Sequence, residues 1–197
     1  GMCIVSPQII MKKVQLLICA IFLSLVANAQ FILTPNGFVD INNSEKKFIV
    51  FEFEGKTQEQ LYNSIIMTAG KTFVSPKDVI SKIENKQITL NTIISKCVLA
   101  DNKFQGGWDL NISLVFEFKD GKIKIEAPSV NSITNIISNK YSKMFISNPN
   151  ASAFLFEWSI FDKNDKLKNK RAKETLEKTT NDIIQTFIVK IKDQEVW

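Results

Sequence analysis

The sharpest alternation of apolar and polar positions in the chain starts at Trp108. Trp108, Leu110, Ile112, Leu114, Phe116 and Phe118 occupy every second position, and Asp109, Asn111, Ser113, Glu117 and Lys119 fill most of the positions between, with Val115 the exception. Successive strand side chains point to opposite faces, so the pattern predicts a strand with one apolar and one largely polar face. Asp120-Gly121 follows and supplies the residue types that take φ > 0 in a tight type I′ turn. The chain returns with Ile123, Ile125 and Ala127 set against Lys122, Lys124 and Glu126. A hairpin of this kind implies an antiparallel sheet with one covered face, and the rest of the chain must supply the cover.

Upstream, Thr34-Pro35-Asn36-Gly37 is a turn signal, and Phe38–Ile41 suits a short edge strand. Lys47–Glu54 alternates Ile49, Phe51 and Phe53 with Phe48, Val50 and Glu52, again a strand, ended by Gly55. Thr57-Gln58-Glu59-Gln60 is a capping box. Leu61, Tyr62, Ile65, Ile66 and Ala69 then fall at helical spacing, with Gly70 as a stop. Ser75-Pro76 breaks the chain. Val79–Glu84 and Gln87–Leu99 suit two strands, the second with Ile88, Leu90 and Ile94 on one face, and Phe104-Gln105-Gly106-Gly107 is a loop.

Beyond Pro128 the spacing changes. Val130, Ile133, Ile136, Ile137, Tyr141 and Met144 repeat at three and four, which predicts a helix ended by Ser147-Asn148-Pro149. Ala151–Phe161 carries two signals: its alternation fits a strand, and its proline start and length fit a helix, which is the expectation taken here. Glu174–Ile191 shows a helical stripe of Leu176, Ile183, Ile184, Phe187, Ile188 and Ile191, either packed back on the domain or offered to a partner. From Lys47 the order is strand, helix, four strands, helix. This is an α+β chain, β-α-β4-α, forming a curved antiparallel sheet with both helices on one face and a helical extension after it.

Several of these segments resemble a secreted bacterial family of domains of unknown function with a TATA-binding-protein-like (TBP-like) fold. The residues that carry the resemblance are Leu61-Tyr62, Phe73-Val74-Ser75-Pro76-Lys77-Asp78-Val79-Ile80, and Phe116–Lys122, FEFKDGK. It covers roughly residues 38–145 and departs in the first helix, which lacks the tryptophan expected there. The resemblance implies the TBP-like fold for residues 30–146, with 147–197 as the extension. The family has no assigned activity, so it implies no functional residues.

The N-terminal segment has a different character. Gly1 reads as a tag remnant and Met2–Ile10 as residues upstream of the true start. From Met11 the chain carries Lys12 and Lys13, an apolar stretch from Val14 to Val26, and Ala27-Asn28-Ala29 before Gln30. This is the order of a secretory signal peptide cleaved between Ala29 and Gln30, and its apolar core is shorter than the roughly 20 residues that span a bilayer. Export to the periplasm or cell envelope is therefore expected. Removing Lys12 and Lys13 leaves 23 of the 25 cations against 20 acids, so the net charge of +5 falls to +3. Of Cys3, Cys19 and Cys97 only Cys97 remains, so no intramolecular disulfide can form and the core must supply the stability.

Composition removes several chemistries. The chain has no histidine, which excludes Ser-His and Cys-His nucleophile pairs and leaves Cys97 without zinc-site companions. Gly106-Gly107 is no phosphate loop, since no G-K-[ST] follows. Paired carboxylates are the remaining acid–base option, with Glu52 and Glu54 on one strand face and Asp109 and Glu117 on another; acids on an outer sheet face are ordinarily solvated. The strongest charge feature is the run Lys163, Lys166, Lys168, Lys170, Arg171 and Lys173. It is a candidate surface for an anionic polymer or membrane, although no aromatic residue interleaves with it to stack bases. Trp108 and Trp158 are expected as core anchors. The expected function is a non-enzymatic envelope binding module for a peptide, protein or small apolar ligand, without cofactor or metal. The alternative is an anionic-polymer or membrane-surface binder using 163–173; nucleic acid is not an expected partner for a secreted chain.

Overall fold

The computed structural model describes residues 30–103 and 106–193. The leader reading of residues 1–29 and the loop residues Phe104 and Gln105 lie outside them. The elements run β1 (Phe31–Thr34), β2 (Gly37–Asp40), β3 (Phe48–Glu52), α1 (Gln58–Thr72), a single turn α2 (Pro76–Val79), β4 (Ile80–Ile83), β5 (Gln87–Leu99), β6 (Gly107–Lys119), β7 (Lys122–Glu126), β8 (Ser129–Ile137), β9 (Lys140–Ser147), a short 3-10 turn (Ala153–Leu155), β10 (Glu157–Phe161) and α3 (Lys170–Asp193). The expected α+β class holds: a large sheet, antiparallel except where β10 joins β9, lies under α1 and α3.

β6 behaves as its alternation predicts. Trp108, Leu110, Ile112, Leu114 and Phe116 are fully buried against residues of α1 and α3, including Leu61, Ile65, Leu176, Phe187 and Ile188. Phe187 reaches Phe116 and Phe73, with ring centroids 5.5 and 6.5 Å apart. The capping box at Thr57 forms with both of its reciprocal bonds. The C-terminal stripe packs back on the sheet, and a single core unites residues on both sides of position 147.

Three expectations are corrected. The Asp120-Gly121 turn is not type I′, because only Gly121 has positive φ, at 69°; a type I′ turn needs it at both central positions. The helix expected over Val130–Met144 is instead the hairpin of β8 and β9. Its apolar spacing of three and four is made by two interruptions of a strand period. Ile112 pairs with Val130 but Asn111 with Ser132, so a bulge at Asn131 inverts the phase and brings both Val130 and Ile133 to the core side. Ser138 and Asn139, with φ of 51° and 61°, then form the left-handed two-residue turn. The helix favoured for Ala151–Phe161 is also absent. Ala153–Leu155 makes one 3-10 turn, and Glu157–Phe161 is a strand parallel to β9, so the alternation of that segment carried the correct signal.

The sheet divides along one edge of β6. Its C-terminal half pairs with β7 and its N-terminal half with β8. Phe116 lies opposite Ile125 and Ser113 opposite Ser129, so four steps on one strand meet three on the other. Ala127 and Pro128 absorb the extra residue. Ala127 turns its N–H to Lys47 O at 2.8 Å, and Pro128 has none to give. β7 goes on to pair with β3, and β8 with β9. A second irregularity sits between Ile94 and Val98 of β5, where Lys96 takes φ 53°. Gly107 passes so close that a Cβ there would lie 2.5 Å from Lys96 O.

Truncating Phe187 to alanine should cost about 3–5 kcal/mol of unfolding free energy, measured by urea denaturation. A helix resting loosely on the domain would lose less than about 0.5 kcal/mol, the usual range for surface substitutions.

Candidate functional site

The candidate site is a groove of about 670 Å³ between β8 and β9. The two strands pair only from Ile133–Met144 to Ile137–Lys140. Beyond that point β8 stays with β6 through Ser129, while β9 stays with β10 through Ser147. The strands therefore part, leaving Ser129–Ser132 and Phe145–Ser147 unpaired with each other. The turn of the β1–β2 hairpin, Pro35-Asn36-Gly37, forms another wall.

Register fixes what each face of the gap offers. Val130 lies opposite Ile112, and Met144 lies between Ile133 and Trp158; with Ile146 these residues pack against the core. Ser132, Thr134, Lys143 and Phe145 alternate to the opposite face. The charged lining residues are Lys47 and Lys143; no carboxylate lines the groove. Among the described residues neither lysine has an ion-pair partner, and Lys143 stands 6.0 Å from the ring centroid of Tyr141.

The six cations singled out from the sequence fall on two elements, a loop and the start of a helix. Lys163, Lys166 and Lys168 lie on the loop between β10 and α3, which covers the outer edge of β10. Leu167 bridges to Phe161, and the amides of Lys168 and Asn169 donate to Ile160 O at 2.8 and 3.1 Å. The Asp162 carboxylate accepts from Asn164 N and Lys166 N at 2.8 and 3.0 Å. These two amides hold its pKa below the ordinary aspartate value, with Lys168 and Lys166 adding to the effect.

Lys170 and Arg171 begin α3. Their amides donate to Asp101 at 2.9 Å each, so Asp101 supplements the cap made by Asn169. The Lys170 ammonium pairs with Glu174 at 3.7 Å. Lys173 holds Glu177, whose carboxylate accepts Leu33 N at 2.7 Å. Asn181 completes the attachment of β1 by exchanging hydrogen bonds of 2.9 Å with Phe31 N and O.

The acids considered for catalysis are engaged separately. Glu52 pairs with Lys122 at 3.1 Å, Glu117 with Lys124 at 3.4 Å, and Asp109 accepts Lys96 N at 2.8 Å; Glu54 is exposed. Among the described residues no three carboxylates or thiols gather as a metal site. Cys97 packs partly into the core, and burial raises its thiol pKa, opposite to what a nucleophilic thiolate requires. Trp108 is buried and meets Trp158 edge-to-face with centroids 5.4 Å apart, so both serve the core as expected. The groove was not legible beforehand, because it depends on where two strands stop pairing.

No family model matches the chain, and no curated protein does. Among solved structures it is similar to a TBP-like protein from Parabacteroides distasonis, at 17% identity and a TM-score of 0.48 over 71% of this chain and 90% of that one. It is also similar to a DUF4468 family protein from Bacteroides ovatus, at 14% identity and a TM-score of 0.44 over 73% and 84% of the two chains.

Replacing Asp162 with alanine should speed amide hydrogen exchange at Asn164 and Lys166 and leave exchange in the β6 core unchanged. In the wild type, acid should lower the protection factors of the same amides once the pH dependence of intrinsic exchange is divided out. A depressed carboxylate pKa contributes local stability that is complete above the unfolded value, near pH 4, and is lost as pH falls through the lower folded value. Exchange at these amides that ignores both changes would remove Asp162 as organiser of the loop.

Proposed function

We propose that the chain is a non-enzymatic binding module of the cell envelope, and that the groove between β8 and β9 holds its peptide, protein or small apolar ligand. The observation that carries this reading is the groove itself. Its volume is in the range of ordinary ligand sites. Its walls combine an apolar side, at Val130, Met144 and Ile146, with a polar side, at Ser132, Thr134 and Lys143. Its titratable lining side chains are Lys47, Tyr141 and Lys143, with no carboxylate or thiol among them. Export through cleavage between Ala29 and Gln30 belongs to the same proposal. Such cleavage leaves β1 whole, with Phe31 and Leu33 in the core.

The anionic-surface alternative receives less support. Lys170 and Lys173 are paired with Glu174 and Glu177, and Asp101, Asp162 and Asp165 interrupt the remaining charges.

The test expresses the full chain in a Gram-negative host and selects a display library of random linear peptides, alongside a small apolar fluorophore, on the purified product. Saturable binding of either probe, weakened at least about tenfold (about 1.4 kcal/mol) in a folded Ser132→Trp variant, is the expected result. A product mass that starts at Gln30, in the periplasmic fraction, is expected with it. Failure of both probes to bind, or binding indifferent to the filled groove, overturns the site.

A further inference from the structure

Every residue of a β-strand directs its N–H and C=O sideways, and successive residues alternate between the two edges. β6 occupies one edge of β8 from Ser129 to Thr134, and β10 occupies one edge of β9 from Lys143 to Ser147. Their other edges meet one another only up to the Ile133–Met144 pair. Past that pair, the main-chain groups of Ser129–Ser132 that aim away from β6 face the groove, and so do those of Phe145–Ser147 that aim away from β10. Open edges of this kind are templates for another strand. Two other edges are covered: side chains of α3 fasten β1, and the 166–169 loop lies along β10; β3 and β4 each have a single strand partner. The fork between β8 and β9 has no such cover among the described residues.

We infer that the groove accepts an extended acidic peptide by strand addition, entering between β8 and β9 where they part. The inference rests on the binding-site reading above and specifies its ligand. Because β8 and β9 run antiparallel, the added strand lies parallel to one and antiparallel to the other, and bonds main chain to main chain on both sides. The open stretch of β8 is about 13 Å long at about 3.3 Å per residue, room for a segment of about four residues.

Side-chain preference follows from register. Alternate residues of the added strand meet Val130, Met144 and Ile146 on the core side, where apolar groups fit. The residues between them meet Ser132, Lys143 and Phe145 on the other side. With Lys47 and Lys143 as the charged lining residues, and no carboxylate to repel an acid, those positions favour Asp or Glu. The ligand is an unstructured segment in which apolar and acidic residues alternate.

The experiment uses the full chain and the linear peptides that the display selection returns. Expected sequences alternate apolar and acidic residues. N-methylation at successive peptide positions should weaken binding about tenfold wherever the amide faces a strand, with sensitive positions on both edges of the peptide. Binding should slow hydrogen exchange at Ser129–Ser132 and Phe145–Ser147. The folded Lys47→Glu/Lys143→Glu double variant should weaken acidic peptides at least tenfold and spare an uncharged one. Peptides that compete for the groove without N-methyl sensitivity or amide protection overturn strand addition while leaving the binding module standing; basic peptides overturn the acidic assignment. A concentration-dependent dimer protecting the same amides makes a second copy the occupant and overturns the peptide. If neither peptide nor fluorophore binds, the parent reading fails as well.

Discussion

Everything in this fold is arranged around one edge of β6 that two strands must share. The opposite edge carries β5 almost continuously, but on this one Ala127 and Pro128 interrupt the ladder. A proline in a central strand removes a hydrogen bond and favours a bend. Ala127 commits its amide to Lys47 O, so the chain before the bend belongs to β3 and the chain after it to β9. A continuous return strand would have given a plain meander. The interrupted one gives a sheet with two wings, and the β1–β2 turn reaches the groove in the second wing.

The helical layer and the sheet edges are coupled through a small number of polar side chains. α3 buries Ala172, Leu176, Ile184, Phe187, Ile188 and Ile191, and its intermediate face is used as well. Thr175 accepts the amide of Leu99 at 2.9 Å just after the β5 bulge, while Glu177 and Asn181 bind β1. Unpaired main-chain groups at the end of one strand and the edge of another thus become attachments for a single helix. This is why α3 cannot be treated as an appendage, despite its position after the segment that carries the family resemblance.

Legibility from sequence divided along the same physical line. β6 and α1 were legible because their signals are local and uninterrupted: strict alternation in the first, a capping box and helical spacing in the second. The stripe of α3 was legible as a helix with one apolar face, but only the folded core shows that this face returns to the sheet. β8 and β9 were misread because a bulge and a left-handed Ser-Asn turn add residues to a strand pattern until it mimics a period between three and four. A bulge is a property of two strands and leaves little trace in one. Asp120-Gly121 failed in the other direction, since a sequence with the right residues for type I′ uses positive φ only at the glycine. The basic run was visible as charge, but its roles in covering β10 and starting α3 require partners far away in sequence, such as Asp101.

The same reasoning explains why the groove, and not the charge run, is the functional candidate. A lysine already held by Glu177 or Glu174 must give up that partner before meeting an external anion, which reduces the net gain. Lys47 and Lys143 have no such exchange to make. The main-chain edges of the fork differ from surface charge in a further respect. Solvent ions screen a charge, but the main-chain groups of a strand edge in a concave site need directed partners: water, a side chain or another main chain. A peptide that arrives already extended replaces that water with directed bonds on two sides. It loses less conformational freedom there than it would in folding on a flat surface, and so a gap made by two diverging strands can select for shape, direction and side-chain alternation together.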